Sequence, residues 1–289
     1  MTQEPVCVAD CKALLGEGPV WVASEAALYW LDIKGRRVFR QNREGEVGSW
    51  DTPFRIGSLA PRADGGFVAG TDRGLAFVDP AAGRFEPFAH PEPDRPTNRF
   101  NDGKLDRAGR FWAGTMDDEE KSASGALYRL DANLRWTRMD DGYKVTNGPA
   151  FSPDGRTMYH NDSALQTVYS FDLDEAGAAT GKRVLARFGD GEGYPDGMTV
   201  DAEGCVWIAF WDGWCVRRLS PAGETLLSLR LPVQRPTSCA FGGAGLDRLF
   251  ITSARIGLDE KSLAMQPYAG GLFVLRPGAG GVAETLFAG

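Results

Sequence analysis

The chain has 289 residues, 43% of them hydrophobic, enough for a sizeable core, and a formal net charge of −7 from 39 acidic and 32 basic residues. That balance argues against a nucleic-acid partner, which requires a basic stripe. No apolar run approaches the ~20 residues of a membrane span, and the N-terminal stretch lacks the basic start and apolar run of a signal peptide, so a cytoplasmic protein acting on a small molecule or cation, monomeric or weakly oligomeric, is expected.

Five cysteines, Cys7, Cys11, Cys205, Cys215 and Cys239, form no CxxC pair. In a chain of this size they point to a reducing compartment rather than a disulfide framework. His90 and His160 are the only histidines, so a three-histidine metal site is excluded by counting.

From the N-terminus onward, short aromatic or β-branched runs recur at 28–33, 66–71, 110–115, 157–162, 205–210 and 248–253, each with strand composition. Turn chemistry precedes most of them, as in Pro153-Asp154-Gly155 and Ala202-Glu203-Gly204, where glycine accepts a positive φ at no steric cost. Further strands are expected at 74–79, 125–131, 167–174, 215–221 and 270–277, and no stretch shows a helical period. Three stretches, 101–115, 146–162 and 195–210, repeat one strand–turn–strand pattern. Anchored on Glu17, Ser58, Asp102, Asn147, Asp196 and Ser238, six units follow one another at intervals of 41 to 49 residues, with the 51 residues after Ser238 left for the last. About four strands per unit, six times over, predicts an all-β, six-bladed β-propeller of four-stranded antiparallel blades around a central channel, one domain over residues 1–289. The Pro-rich segment His90–Phe100 is expected to be a loop over one face, and the N-terminal segment around Val6–Leu14 is expected to pair into the last blade.

In a propeller the first strand of each blade lines the channel, so the residues that open those strands converge. Glu17, Asn147 and Asp196 then offer two carboxylates and an amide oxygen, hard donors suited to a calcium- or magnesium-like ion. Acids and amides before glycine also cap tight turns, and spacing alone does not separate the two roles. His160 is expected to end a strand and hydrogen-bond between blades; Trp211 and Trp214 are expected to pack within the blades, with cover for a sugar face near their loop as the alternative, and Lys144, just before the Thr146-Asn147-Gly148 entry, is a candidate for the channel mouth. No Gly-x-Ser-x-Gly elbow is present, which disfavours a serine esterase.

The segments LGEGPVW (15–21), RFNDGK (99–104), AGTMDDEE (113–120), TNGPAFSPDG (146–155), HNDS (160–163) and PDGMTVD (195–201), in this order, resemble the SMP-30/gluconolactonase/regucalcin-like family of six-bladed propellers. The likeness spans nearly the whole chain and is greatest to bacterial sugar lactonases such as xylonolactonase. It implies one divalent cation (Ca, Zn, Fe(II), Mn or Mg) on Glu17, Asn147 and Asp196, with Arg99, Asn101 and Glu119 facing substrate, and Asp102 holding a ligand water or the asparagine side chain. The activity implied is opening of a small-molecule sugar lactone, with Asp196 as the catalytic base. Rival expectations are hydrolysis of organophosphates or other lactones on the same scaffold, and a non-enzymatic calcium-binding propeller.

Overall fold

The computed structural model describes residues 4–289; residues 1–3 of the expected domain lie outside the described part. Six four-stranded antiparallel sheets make up the chain, a six-bladed β-propeller. Their first strands are Gly16–Val22, Ile56–Pro61, Asn98–Leu105, Thr146–Phe151, Tyr194–Val200 and Pro236–Gly242, and these open blades 1 to 6. The expected runs at 74–79, 157–162 and 248–253 are strands with those same bounds, and the others differ by one or two residues at an end. Strand propensity and Asp-Gly turn chemistry are local properties, which is why they predict so closely here.

The chain's contacts divide it into two compact units. The first comprises the described part of Met1–Asp51 with Phe188–Ala283, and so holds blades 1, 5 and 6. Its sixth blade is completed as expected, because Val6–Ala9 pairs antiparallel with Leu272–Leu275 at its edge. The core of this unit gathers Trp207, Val216, Ile251 and Phe273, all fully buried. In the loop between the last two strands of blade 6 a six-residue helix, Glu260–Met265, departs from the all-strand expectation. Six residues are too few for a hydrophobic period, but Asp259 caps it by accepting the Ser262 N–H at 2.7 Å.

The second unit comprises Thr52–Arg187 and Glu284–Gly289, and so holds blades 2, 3 and 4. The C-terminal tail therefore does not belong with the last blade, as its position after Ser238 implied. Phe287 is fully buried with Ala60, Val68, Leu105 and Phe111, and its backbone is bonded to Pro61 and Ala63 at 2.9 and 2.8 Å. The Pro-rich loop is shorter than expected, since a strand begins at Asn98.

One irregularity recurs in all six blades. Each first strand carries an extra residue against its neighbour: after Glu17, Ile56, Phe100, Asn147, Pro195 and Pro236 the register slips before pairing resumes. Such a bulge bends the strand and re-aims the side chain beside it out of simple alternation. At Glu17-Gly18 and Asn147-Gly148 the bend is taken by glycines with φ of +53° and +79°, a region that side-chain-bearing residues avoid. The acid-or-amide–glycine pairs legible in the sequence fall at the bulges of blades 1, 3, 4 and 5.

His160 departs from its expected role. It sits in the middle of blade 4's sheet, fully buried, with neither ring nitrogen hydrogen-bonded among the described residues. The Tyr143 ring stands nearly perpendicular to it, with the ring centroids 4.7 Å apart. Burial, helped by the Lys182 charge, pushes its imidazole down to about 3. A histidine lowered in the folded state leaves stability intact above the ordinary value near 6.5 and removes it as pH falls towards 3. Between pH 7 and 5 the wild-type protein is therefore expected to lose about 2 kcal/mol more unfolding free energy than His160→Phe; parallel urea titrations of the two proteins across that interval would count against this assignment.

Candidate functional site

In the second unit the predicted residues form one bonded chain. Arg99 and Asn101 stand on the bulged first strand of blade 3, and Asn147 on that of blade 4. Arg99 Nη1 donates to Asn101 Oδ1 at 2.7 Å and to the Phe100 carbonyl at 3.1 Å. The Asn101 amide in turn donates to Asn147 Oδ1 at 3.1 Å and to the Thr146 carbonyl at 2.8 Å. Asn147 Nδ2 donates to Ser163 Oγ at 2.9 Å, which sets the side chain with its oxygen towards Asn101.

Counting donors shows what this chain leaves open. Both amide hydrogens of Asn101 are spent on protein oxygens, so towards a ligand its side chain can only accept. Of Arg99's five N–H groups, the single one on Nε goes to Asp118 Oδ1 at 2.6 Å and the two on Nη1 are used as above. Nη2 takes no protein acceptor among the described residues, and its two hydrogens remain for a ligand oxygen. Behind Arg99, between Glu92, Asn98 and Thr115, lies a cavity of about 10 Å³, room for a single water and not for a sugar ring.

Asp102 does not hold the Asn147 side chain. Its two oxygens accept the Gly103 N–H at 2.8 Å and the Gly148 N–H at 3.0 Å. It therefore clamps the backbone of the Asn147 bulge from the neighbouring blade. Burial pushes this carboxyl up to about 6, against the opposing pull of Lys104 and the two backbone N–H groups.

Glu119 is placed differently from Arg99 and Asn101. Its side chain is 58% exposed in the loop after the second strand of blade 3, and its carboxylate pairs with Lys121 at 2.7 Å. The acid in contact with Arg99 is its neighbour Asp118. Lys144 is half-buried and bound through its backbone N–H to Asp162.

In the first unit, Glu17 and Asp196 occupy the equivalent bulges of blades 1 and 5, each 6% exposed. Glu17 Oε2 accepts the Gly18 N–H at 3.0 Å. At Gly197 there is no room for a side chain: a Cβ would fall 2.1 Å from Ser238 Oγ, so the chain following Asp196 is held tightly against blade 6. Trp211 and Trp214 each have an arginine over one ring face, Arg235 at 4.6 Å and Arg230 at 5.3 Å.

Glu17 and Asp196 carry carboxylate oxygens and Asn147 an amide oxygen, donor types that suit a hard divalent cation. Among the described residues no group of three or more His, Cys, Asp or Glu side chains is clustered for a metal.

Fold and bulge residues together define a propeller carrying buried oxygen donors and a partly free guanidinium. The chain belongs to the SMP-30/gluconolactonase/LRE-like family, whose model matches residues 15–255. It is 39% identical to the 6-deoxy-6-sulfogluconolactonase of Pseudomonas putida, over the full length of both chains. To the L-arabinolactonase of Azospirillum brasilense it is 37% identical, covering 98% of this chain and 95% of that one. The solved structure of regucalcin from Agrobacterium tumefaciens, described as a calcium-binding protein, superposes with a TM-score of 0.94 at 30% identity, covering 99% of this chain and 97% of the other. No helix among the described residues is long and apolar enough to cross a membrane.

Proposed function

We propose that this chain hydrolyses sugar-acid lactones, aldonolactones such as xylonolactone or gluconolactone, to the free aldonic acid, as one cytoplasmic domain with a divalent cation held by Glu17, Asn147 and Asp196. The observation that carries the polyol part is the donor count at Arg99: two N–H groups on Nη2 have no protein acceptor among the described residues, beside a buried, polar Asn101–Asn147 pair. A greasy substrate would gain nothing from such a group. The lactonase names of two relatives, at 39% and 37% identity, support the same chemistry.

A bound cation would supply electrophilic polarisation of the lactone carbonyl. The protein's part is as follows. Asp196 accepts the proton of the attacking water. Arg99 Nη2 donates to a ring hydroxyl or to the oxygen on which charge develops. Asn101 ties the arginine to Asn147, so that substrate orientation and the donor set share one framework. Glu119, exposed in its loop, is a contact for a distal hydroxyl. A glycosidic bond would need two free carboxyls flanking it, which residues engaged as ligands do not supply.

The deciding experiment is an assay on xylono-, arabinono-, glucono- and galactonolactone, corrected for spontaneous opening, with metal stripped and restored. Chelation is expected to lower the enzymatic rate by at least ~10²-fold, and added metal to restore it. Full rates after chelation would reject the metal role. Turnover confined to paraoxon-type esters or acyl lactones would reject the sugar assignment. Calcium binding with no turnover, the outcome favoured by the likeness to regucalcin, would reject the enzymatic one.

A further inference from the structure

We propose that Asp118, clamped by Arg55, is the positioning residue that aims Arg99 at its substrate. The inference rests on the lactonase reading for its catalytic consequence, but its structural content stands on bonds within the second unit alone.

The guanidinium of Arg99 is planar, and the bonds at two of its edges fix the direction of the third. The Nη1 edge is held by Asn101 and Phe100 on its own strand. These two contacts leave rotation about the Cδ–Nε bond opposed from one side only. The Nε–H···Oδ1 bond to Asp118, 2.6 Å long, supplies the opposing hold, and charge-assisted bonds of this length are the strong ones. With both in place, Nη2 has one direction to point.

Asp118 can act as a fixed post because it is itself held from behind. Its second oxygen accepts Arg55 Nη1 at 2.6 Å, and Arg55 Nε is anchored on Asp72 at 2.9 Å. The backbone N–H of Asp118 donates to the Thr97 carbonyl at 3.0 Å, tying the loop to the start of blade 3's first strand. The run is therefore continuous, from Asp72 in blade 2 through Arg55, Asp118, Arg99 and Asn101 to Asn147 in blade 4. Its charges cancel, two guanidiniums against two carboxylates, so what Asp118 adds is direction rather than a stronger local field. Of the acids in the loop, Asp118 is the one with this geometry: Glu119 turns outward to Lys121, and Asp117 is occupied in accepting the backbone N–H groups of Glu119, Lys121 and Ser122.

The test is a mutant cycle on xylonolactone at saturating metal. Asp118→Asn keeps the size but turns an amide N–H towards a guanidinium, and is expected to lower kcat/KM by about 10–100-fold, the cost of a misplaced binding group. Asp118→Glu is expected to recover most of that loss. In an Arg99→Lys background Asp118→Asn is expected to change kcat/KM by less than about 2-fold, because its effect passes through Arg99. Metal content should equal that of the wild type throughout. An unchanged kcat/KM in Asp118→Asn, or the same loss with and without Arg99, overturns the proposal. A readout independent of turnover is the Arg99 Nε–H signal in arginine-labelled protein, identified by its loss in Arg99→Lys. It should be protected from exchange in the wild type and exposed in Asp118→Asn; persistent protection overturns the positioning role. If the wild-type protein opens no lactone, it is the lactonase reading and the kinetic consequence that fall, while this signal still decides whether Asp118 holds Arg99.

Discussion

Asp196→Asn is expected to lower kcat/KM on aldonolactones by about 10²–10⁴-fold, the range that a positioned general base supplies and equivalent to ~3–5 kcal/mol of transition-state stabilisation. The replacement keeps the side chain's size and one oxygen donor. It removes the negative charge and the basicity together, so metal affinity should fall in parallel. The strand around it has little reason to move. Gly197 is packed against Ser238 without space for a Cβ, and Asp196 lies in a first strand buried over nearly its whole length. The measurement is kcat/KM with metal content determined on the same samples, beside a melting curve. A variant within threefold of wild type would remove Asp196 from the mechanism. A variant with full metal content but no turnover would separate the basic role from the ligand role and keep the first.

Asp201→Ala is expected to cost about 3–5 kcal/mol of stability, the penalty for breaking a buried charged pair from one side. Asp201 is fully buried, and its two oxygens accept four bonds. Oδ1 takes the N–H groups of Glu203 and Cys205 at 3.0 and 2.9 Å, closing the turn ahead of blade 5's second strand. Oδ2 takes Trp207 Nε1 and Arg218 Nε, both at 2.8 Å. Alanine would leave the indole N–H of a fully buried tryptophan without its acceptor and strip Arg218 of its buried partner. Asp106 repeats the arrangement in blade 3, with Trp112 Nε1 at 2.8 Å and Arg110 Nε at 2.5 Å, so Asp106→Ala should behave alike. For a chain of this size the loss corresponds to a fall in Tm of roughly 10 °C. A loss below about 1 kcal/mol in urea titration would show that water replaces the carboxylate at no great cost.

Much of the fold was legible because its determinants are local. Pro153-Asp154-Gly155 and Ala202-Glu203-Gly204 mark turns whichever blade they fall in, and the strand bounds at Thr157–Asp162 follow from composition alone. The acid-or-amide–glycine pairs marked the bulges for the same reason, since a glycine at +79° after Asn147 is a requirement of that one turn of chain. The Asp-x-x-Gly-x-x-Trp spacing shared by Asp106–Trp112 and Asp201–Trp207 was equally present. Its turn is legible from the residue types and its carboxylate-to-indole bond is not, because that bond depends on the hairpin folding the indole back over the aspartate.

What sequence order could not express is which partner a side chain ends up with. Asp118 and Glu119 are adjacent acids in one loop; a turn sends one to Arg99 and the other to solvent, and nothing in the residue types tells them apart. Phe287 reads as the tail of the last repeat, yet it is buried with residues of blades 2 and 3, because an aromatic ring gains most where a pocket awaits it and chain order sets no limit on that. His160 reads as a polar strand end, yet it is enclosed beside Tyr143 with neither nitrogen paired among the described residues. Residue types and spacing therefore determined the strands, the six units and the chemical character of each bulge, since these rest on interactions within a few residues. The free donors of Arg99, the property on which the proposed chemistry turns, are a remainder left after Phe100, Asn101 and Asp118 have taken their bonds, and only the packed structure performs that subtraction.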